Sequence, residues 1–145
     1  MSQLYRARRL ALQCLCCLDV RGDGVAELVD QFVGDSQEPA ATLEMARRLL
    51  HETHSHRERL DQLLARHARH WQLHRLAVVD RSILRLAAGE ILSGKTPLKV
   101  AISEALHLAR EFSTAESPRF INGVLDAIAK EILQDRAADS AGGGG

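Results

Sequence analysis

Aromatic side chains are scarce in this sequence. They make up 3% of its 145 residues. A hydrophobic core must therefore be assembled from Leu, Ala, Val and Ile. A length of 145 residues suffices for one domain that buries a sizeable core. Net charge is missing as well: 19 Lys and Arg balance 19 Asp and Glu. No overall basic field advertises nucleic acid. Lysine is confined to Lys95, Lys99 and Lys130, so the cations are nearly all Arg. Arg suits bidentate phosphate and base contacts; biased codon usage is the plainer explanation. The three cysteines, Cys14, Cys16 and Cys17, are odd in number and clustered. That excludes a disulfide framework, and C-x-C-C is not a zinc spacing. No apolar run reaches the length of a membrane span, and the N-terminus lacks the apolar core of a signal peptide. A reducing cytoplasm is the expected location. A nucleophile elbow, a P-loop and a Gly-rich dinucleotide turn are all absent. We therefore expect neither catalysis nor a cofactor.

The neutral total hides segregated charge. Residues 1–18 carry Arg6, Arg8 and Arg9 and no acid. Residues 19–43 carry Asp19, Asp23, Glu27, Asp30, Asp35 and Glu38 against Arg21 alone. Residues 44–75 are again basic and hold most of the histidines. His67, His70 and His74 follow i, i+3, i+7 spacing, and His51 and His54 are three apart. H-E-T-H is not H-E-x-x-H, and no Cys or acid pattern completes a site. Solvated histidines are expected there, not a metal.

Hydrophobic periodicity reads as helix throughout, with no period-2 alternation and no internal repeat. Leu4 to Val20 forms a first helix, with Leu4, Ala7, Ala11, Cys14 or Leu15, and Leu18 inward. Arg6, Arg9 and Gln13 lie on another face, with Arg8 near its edge. R-G-D-G at 21–24 stops it. Val25 to Val33 is a short second helix. Gly34 to Pro39 is a loop, with Pro39 as a first-turn residue. Ala40 to about His70 is one long helix or two abutting ones, bent or facing water around the polar run at 51–59. Trp71 to Arg75 is a link. Leu76 to Leu92 is apolar over most of its circumference, as a central buried helix would be. Gly94 ends it, Thr96 caps the next helix, and Pro97 opens that helix. Leu98 to Phe112 follows. Ser117 and Pro118 start the last helix, lined by Ile121, Val124, Leu125, Ile128 and Ile132. The fold class is all-α, with six to seven helices. Residues 1–135 form the domain, and the Gly-rich tail at 136–145 is expected to be disordered.

Three segments carry more than periodicity: V-D-R-S-I-L-R-L-A-A-G-E-I-L at 79–92, P-L-K-V-A-I-S-E-A-L-H-L-A-R at 97–110, and S-P-R-F-I-N-G-V-L-D-A-I-A-K-E at 117–131. In this order and spacing they resemble the NusB family of transcription antitermination factors. R-A-R-R-L-A-L-Q-C-L at 6–15 is similar to the family's Arg-rich first helix. The resemblance implies two small helical bundles packed together. It also implies binding of a boxA-like single-stranded RNA with a NusE-type ribosomal protein, within the transcribing RNA polymerase complex, and no membrane. Homodimerisation through the RNA face is a further arrangement it allows. Similar domains also occur in front of an RNA cytosine methyltransferase, but no such enzyme follows here.

Carried over residue by residue, the resemblance puts the family's basic positions on Arg6 and Arg8, with Arg9 an extra charge. Leu4 and Tyr5 stand where two further positions are usually basic. The family's aromatic before V-N-G is Phe120, beside Arg119. An acidic position associated with holding NusE is Asp80, with Arg81 next to it. The family's base-contacting Tyr is Cys16 here, its usual Asn is Ser103, and the Tyr of A-Y-E is Gly89. The expected RNA surface is therefore Arg6, Arg8, Arg9, Gln13, Arg119 and Phe120, formed if the first and last helices pack together. Asp80 and Arg81 are the expected protein-partner site. The alternative is a protein-interaction module that has lost RNA recognition.

Overall fold

In the computed structural model, residues 2–22, 24–68 and 76–143 are described. Seven helices and no strands occur among them: α1 (Gln3–Arg21), α2 (Val25–Asp35), α3 (Ala40–Ser55), α4 (Arg57–His67), α5 (Val78–Ser93), α6 (Leu98–Phe112) and α7 (Ser117–Gly143). The expected link at 71–75, with His70 and His74, lies outside the described residues.

Local chemistry fixes most of the boundaries. Ser2 caps α1, its hydroxyl accepting from the Tyr5 amide at 3.1 Å. Gly22 ends the helix at φ 71° and Gly94 ends α5 at φ 73°, a left-handed conformation that other residues rarely adopt. The polar run at 51–59 does break the helix: His56 separates α3 from α4. Thr96 does not cap α6, contrary to expectation. Pro97 holds the cap position without a side-chain bond, and the Thr96 hydroxyl instead donates to Glu90 at 3.1 Å. A buried carboxylate competes better for that hydroxyl than an exposed helix end does.

The tail also departs from expectation. α7 runs through to Gly143 rather than stopping at Asp135. Arg136 gives it an anchor, donating from Nη2 to the Ile91 and Leu92 carbonyls at 3.0 and 2.8 Å. Both carbonyls belong to the last turn of α5, where Ile91 also accepts from the Gly94 amide, so one side chain helps to cap α5 and holds the start of the tail.

Two bundles share one helix. α1, α2 and α3 form the amino-terminal bundle, and α4, α6 and α7 gather around α5, which also packs on α1 and α3. Every residue from Ser82 to Ile91 is buried, as the all-round apolar pattern predicts. Ile83, Leu84 and Ala88 are wholly inaccessible. Each fully buried Leu or Ile stabilises by roughly 1.5–3 kcal/mol. Gly89 lets α3 approach: a Cβ there would stand 3.1 Å from Thr53 Oγ1 and 3.4 Å from Thr53 Cα. Thr53 is correspondingly buried, its hydroxyl turned back to the Leu49 carbonyl at 2.8 Å.

Candidate nucleic-acid interface

Helical spacing sorts the arginines of α1. Arg6, Arg9, Leu10 and Gln13 fall at i, i+3, i+4 and i+7, on one outward face. They line a groove of about 590 Å3 whose opposite wall is the α2–α3 connection, Asp35 to Pro39, with Phe32 between. Gln13 is exposed, and Arg6 and Arg9 are about one-third exposed. Arg9 lies 3.5 Å from Glu111 and its guanidinium sits 5.5 Å from the Phe112 ring centre. Such a cation–π pair adds about 0.5–1 kcal/mol at exposed sites.

Arg8 belongs to the other face and must be withdrawn from the expected RNA surface. It is 2% exposed. Its Nε donates to both Glu90 carboxylate oxygens at 3.2 and 3.1 Å, and its Nη2 donates to Oε1 at 2.7 Å. Glu104 stands 3.8 Å from Nη1. A buried charge must be paired and hydrogen-bonded to be tolerated, and here the pairing joins α1 to α5 and α6. Leu4, expected inward, is partly exposed.

Tyr5 is buried instead. Its hydroxyl donates to Glu111 and its ring stacks on the exposed His107 at 4.2 Å between centroids. Burial pushes the phenol pKa well up, and the Glu111 hydrogen bond raises it further. Tyr5 thus makes a contact that pins α1 to α6. Burial likewise pushes the Cys14 thiol up to about 12 and raises that of Cys16, a little-ionised group beside Ser82. Cys14, Cys16 and Cys17 are all free thiols.

The second expected cluster lies at the α6–α7 turn. Arg119 is exposed and Phe120 half-buried in the first turn of α7. Together with Asp80, Ala77 and Thr114 they line a groove of about 730 Å3. The Asp80 carboxylate accepts from Ser113 Oγ at 2.5 Å and Ser117 Oγ at 2.9 Å, which ties the start of α5 to this turn. Arg81 does not emerge toward a partner as expected. Its guanidinium is held inward by Asp19 and by the Leu76 carbonyl at 3.0 Å. Arg85 joins the same network, reaching Asp19 at 3.2 Å and clasping Asp61 at 2.8 and 3.2 Å. Burial alone would raise the Asp19 pKa, but hydrogen bonds from Arg81 and Arg85 outweigh it and hold the carboxyl below its ordinary value.

α1 and α7 are not each other's principal neighbours, since both pack on α5. The end of α6 joins their outer faces: Arg9 lies over Phe112, and the next residues lead directly to Arg119 and Phe120. Phe32, Glu38 and Phe112 were not singled out from the sequence. The acid-rich run at 19–43 was the one signal available for Glu38. Among the described residues no three His, Cys, Asp or Glu side chains come together as a metal site would require. Among those residues no helix is long and apolar enough to cross a membrane.

Two helical bundles about a shared central helix, with an Arg-bearing first helix joined through α6 to an aromatic turn, define the class of protein by its fold: an all-helical two-bundle domain. The NusB family model matches residues 5–130. The transcription antitermination protein NusB of Symbiobacterium thermophilum is 41% identical, over 94% of this chain and 95% of that one. Its counterpart from Solibacter usitatus is 40% identical over the same shares. The solved structure of T. maritima NusB superposes with a TM-score of 0.81 at 32% identity, covering 90% of this chain and 92% of that one. The crystal structure of the antitermination factors NusB and NusE in complex with dsRNA gives 0.81 at 27% identity, covering 90% and 99%. The chain belongs to the NusB family.

Proposed function

We infer that this protein is an RNA-binding transcription antitermination factor. It holds a boxA-like single strand together with a NusE-type ribosomal protein, within the transcribing RNA polymerase complex in the cytoplasm. It performs no chemical step of its own. The observation that carries the reading is family membership over nearly the whole chain, at about 40% identity to NusB antitermination proteins. A solved relative of the same fold is a complex with NusE and RNA.

The geometry supports a division of labour. Arg6, Arg9 and Gln13 supply cations and an amide on α1, while Arg119 and Phe120 supply a cation and a flat ring at the α7 start. Unpaired RNA is read by stacking and base-edge contacts, and one stacked base contributes roughly 1–3 kcal/mol. The positive end of the α7 dipole also favours an anion beside Arg119. Asp80, fixed by Ser113 and Ser117, lines the same groove as Arg119 and Phe120 and is the residue assigned to the protein partner. Partner and RNA then share one surface, so each strengthens the other.

The test is a binding titration with boxA-like and scrambled RNA, with and without the NusE-type protein, at two salt concentrations. Tighter binding of boxA-like RNA, enhanced by the partner and weakened by salt, is expected. Equal affinity for both RNAs in the presence of the partner overturns the reading.

A further inference from the structure

The groove between α1 and the α2–α3 connection has two walls of opposite charge. Arg6 and Arg9 stand on one, and Asp35 and Glu38 on the other, with Leu10 and Phe32 between them. A site for phosphates alone would have no use for the carboxylates. An unpaired nucleobase attached to its phosphate needs all three: a cation, an apolar face and polar groups at the ring edge.

Arg6 and Glu38 are arranged in a way that leaves both usable. Arg6 Nε lies 3.0 Å from Glu38 Oε2, an ion-pair distance without hydrogen-bond alignment. Neither the Arg6 terminal nitrogens nor Glu38 Oε1 makes a hydrogen bond among the described residues. Ser36 Oγ accepts from the Glu38 amide at 3.0 Å and fixes the loop that carries the carboxylate. One guanidinium can thus steady Glu38 while its outer edge meets a phosphate. A carboxylate is an acceptor only. It pairs with the exocyclic amino group of cytosine and repels the carbonyl that uracil presents at the same place.

We propose that this groove is a nucleobase subsite in which Glu38 is a specificity-determining residue, accepting a hydrogen bond from the amino group of an unpaired cytosine while Arg6 holds the adjoining phosphate. The proposal rests on the RNA-binding reading above.

Short fluorescent oligo(C) and oligo(U) of equal length separate base reading from backbone attraction, because the two rings stack alike and differ only along one edge, at the C4 substituent and the adjoining N3. The protein binds oligo(C) about fivefold or more tighter than oligo(U), the discrimination one base-edge contact gives. Glu38→Leu weakens oligo(C) and, with the repulsion of the uracil carbonyl lifted, does not weaken oligo(U). Glu38→Gln strengthens oligo(U), because its amide donates to the uracil carbonyl, so the preference falls toward one. Equal tightening of both RNAs in either variant overturns the proposal and makes Glu38 merely the counter-charge of Arg6. An unaltered preference for cytosine overturns it too. Failure of the native protein to bind any RNA, even with the NusE-type partner present, defeats the antitermination reading itself and is a different result.

Discussion

Two Arg–Glu pairs start from a single turn of one helix and live in different worlds. Arg8 meets Glu90 with both side chains under 5% exposed, and Arg6 meets Glu38 with both about one-third exposed. The residues are two apart in sequence, which on a helix is about 200° of rotation. The inner pair gains strong Coulomb attraction in a low dielectric but had to shed its water first. The outer pair keeps its water and gains little. The inner arginine is therefore part of the fold, and the outer one remains available to a ligand. Charge in the first helix is not one property but two, divided by which way each side chain turns.

The largest test of that contrast is Arg8→Ala. It strands Glu90 in the interior, and a loss of about 3–5 kcal/mol is expected by urea denaturation. Replacing both partners, Arg8→Met with Glu90→Leu, restores much of that stability, because the deeply buried carboxylate goes with its partner and only the partly exposed Glu104 loses a counter-charge. A small effect of the single change would erase the distinction between the pairs.

An intermediate case sharpens it. Asp19, Arg81 and Arg85 are each about one-tenth exposed. Asp19→Asn costs about 2 kcal/mol near neutral pH, the worth of hydrogen bonds to a charged group. The folded-state pKa of Asp19 is depressed below its ordinary 3.8. Its contribution is therefore fully present above that value and is lost as pH falls through the lower folded one. Denaturation curves of the native protein and the variant, separate at neutral pH, should converge below about pH 4.

The smallest stability effect belongs to Arg6→Ala: about 0.5 kcal/mol or less, within the range of exposed pairs. RNA affinity is where this change registers. It falls, and the dependence of log Kd on log salt becomes shallower by roughly one unit or less. A stability loss matching that of Arg8→Ala, with unchanged RNA binding, would invert the whole comparison.

The contrast also shows where reading the sequence reaches and where it stops. The buried stretch of α5 is legible because its apolar residues lie close together along the chain. The α3–α4 break is legible as a polar run. Arg8 is not, because periodicity puts it at the edge of the polar face and its partner lies 82 residues away. Arg81 misleads for the same reason: Asp19, which turns it inward, is 62 residues off. Thr53 sits in a hydrophilic segment, and only the missing side chain at Gly89 makes room for it. The helical tail is hidden too, since its anchor is Arg136 reaching carbonyls on another helix. Pairings between distant segments leave no periodic trace, and they decide which polar residues face solvent.

The Arg8–Glu90 pair carries one more consequence, for the order of events during synthesis. Domains emerge from the ribosome at about 5–20 residues per second. The 82 residues between the two partners therefore take about 4–16 seconds to make at that pace. Throughout that interval the first helix holds a cation with no buried counterpart, so it cannot settle into its final berth. The amino-terminal bundle is translated first but must wait for the middle of α5 to arrive and receive it.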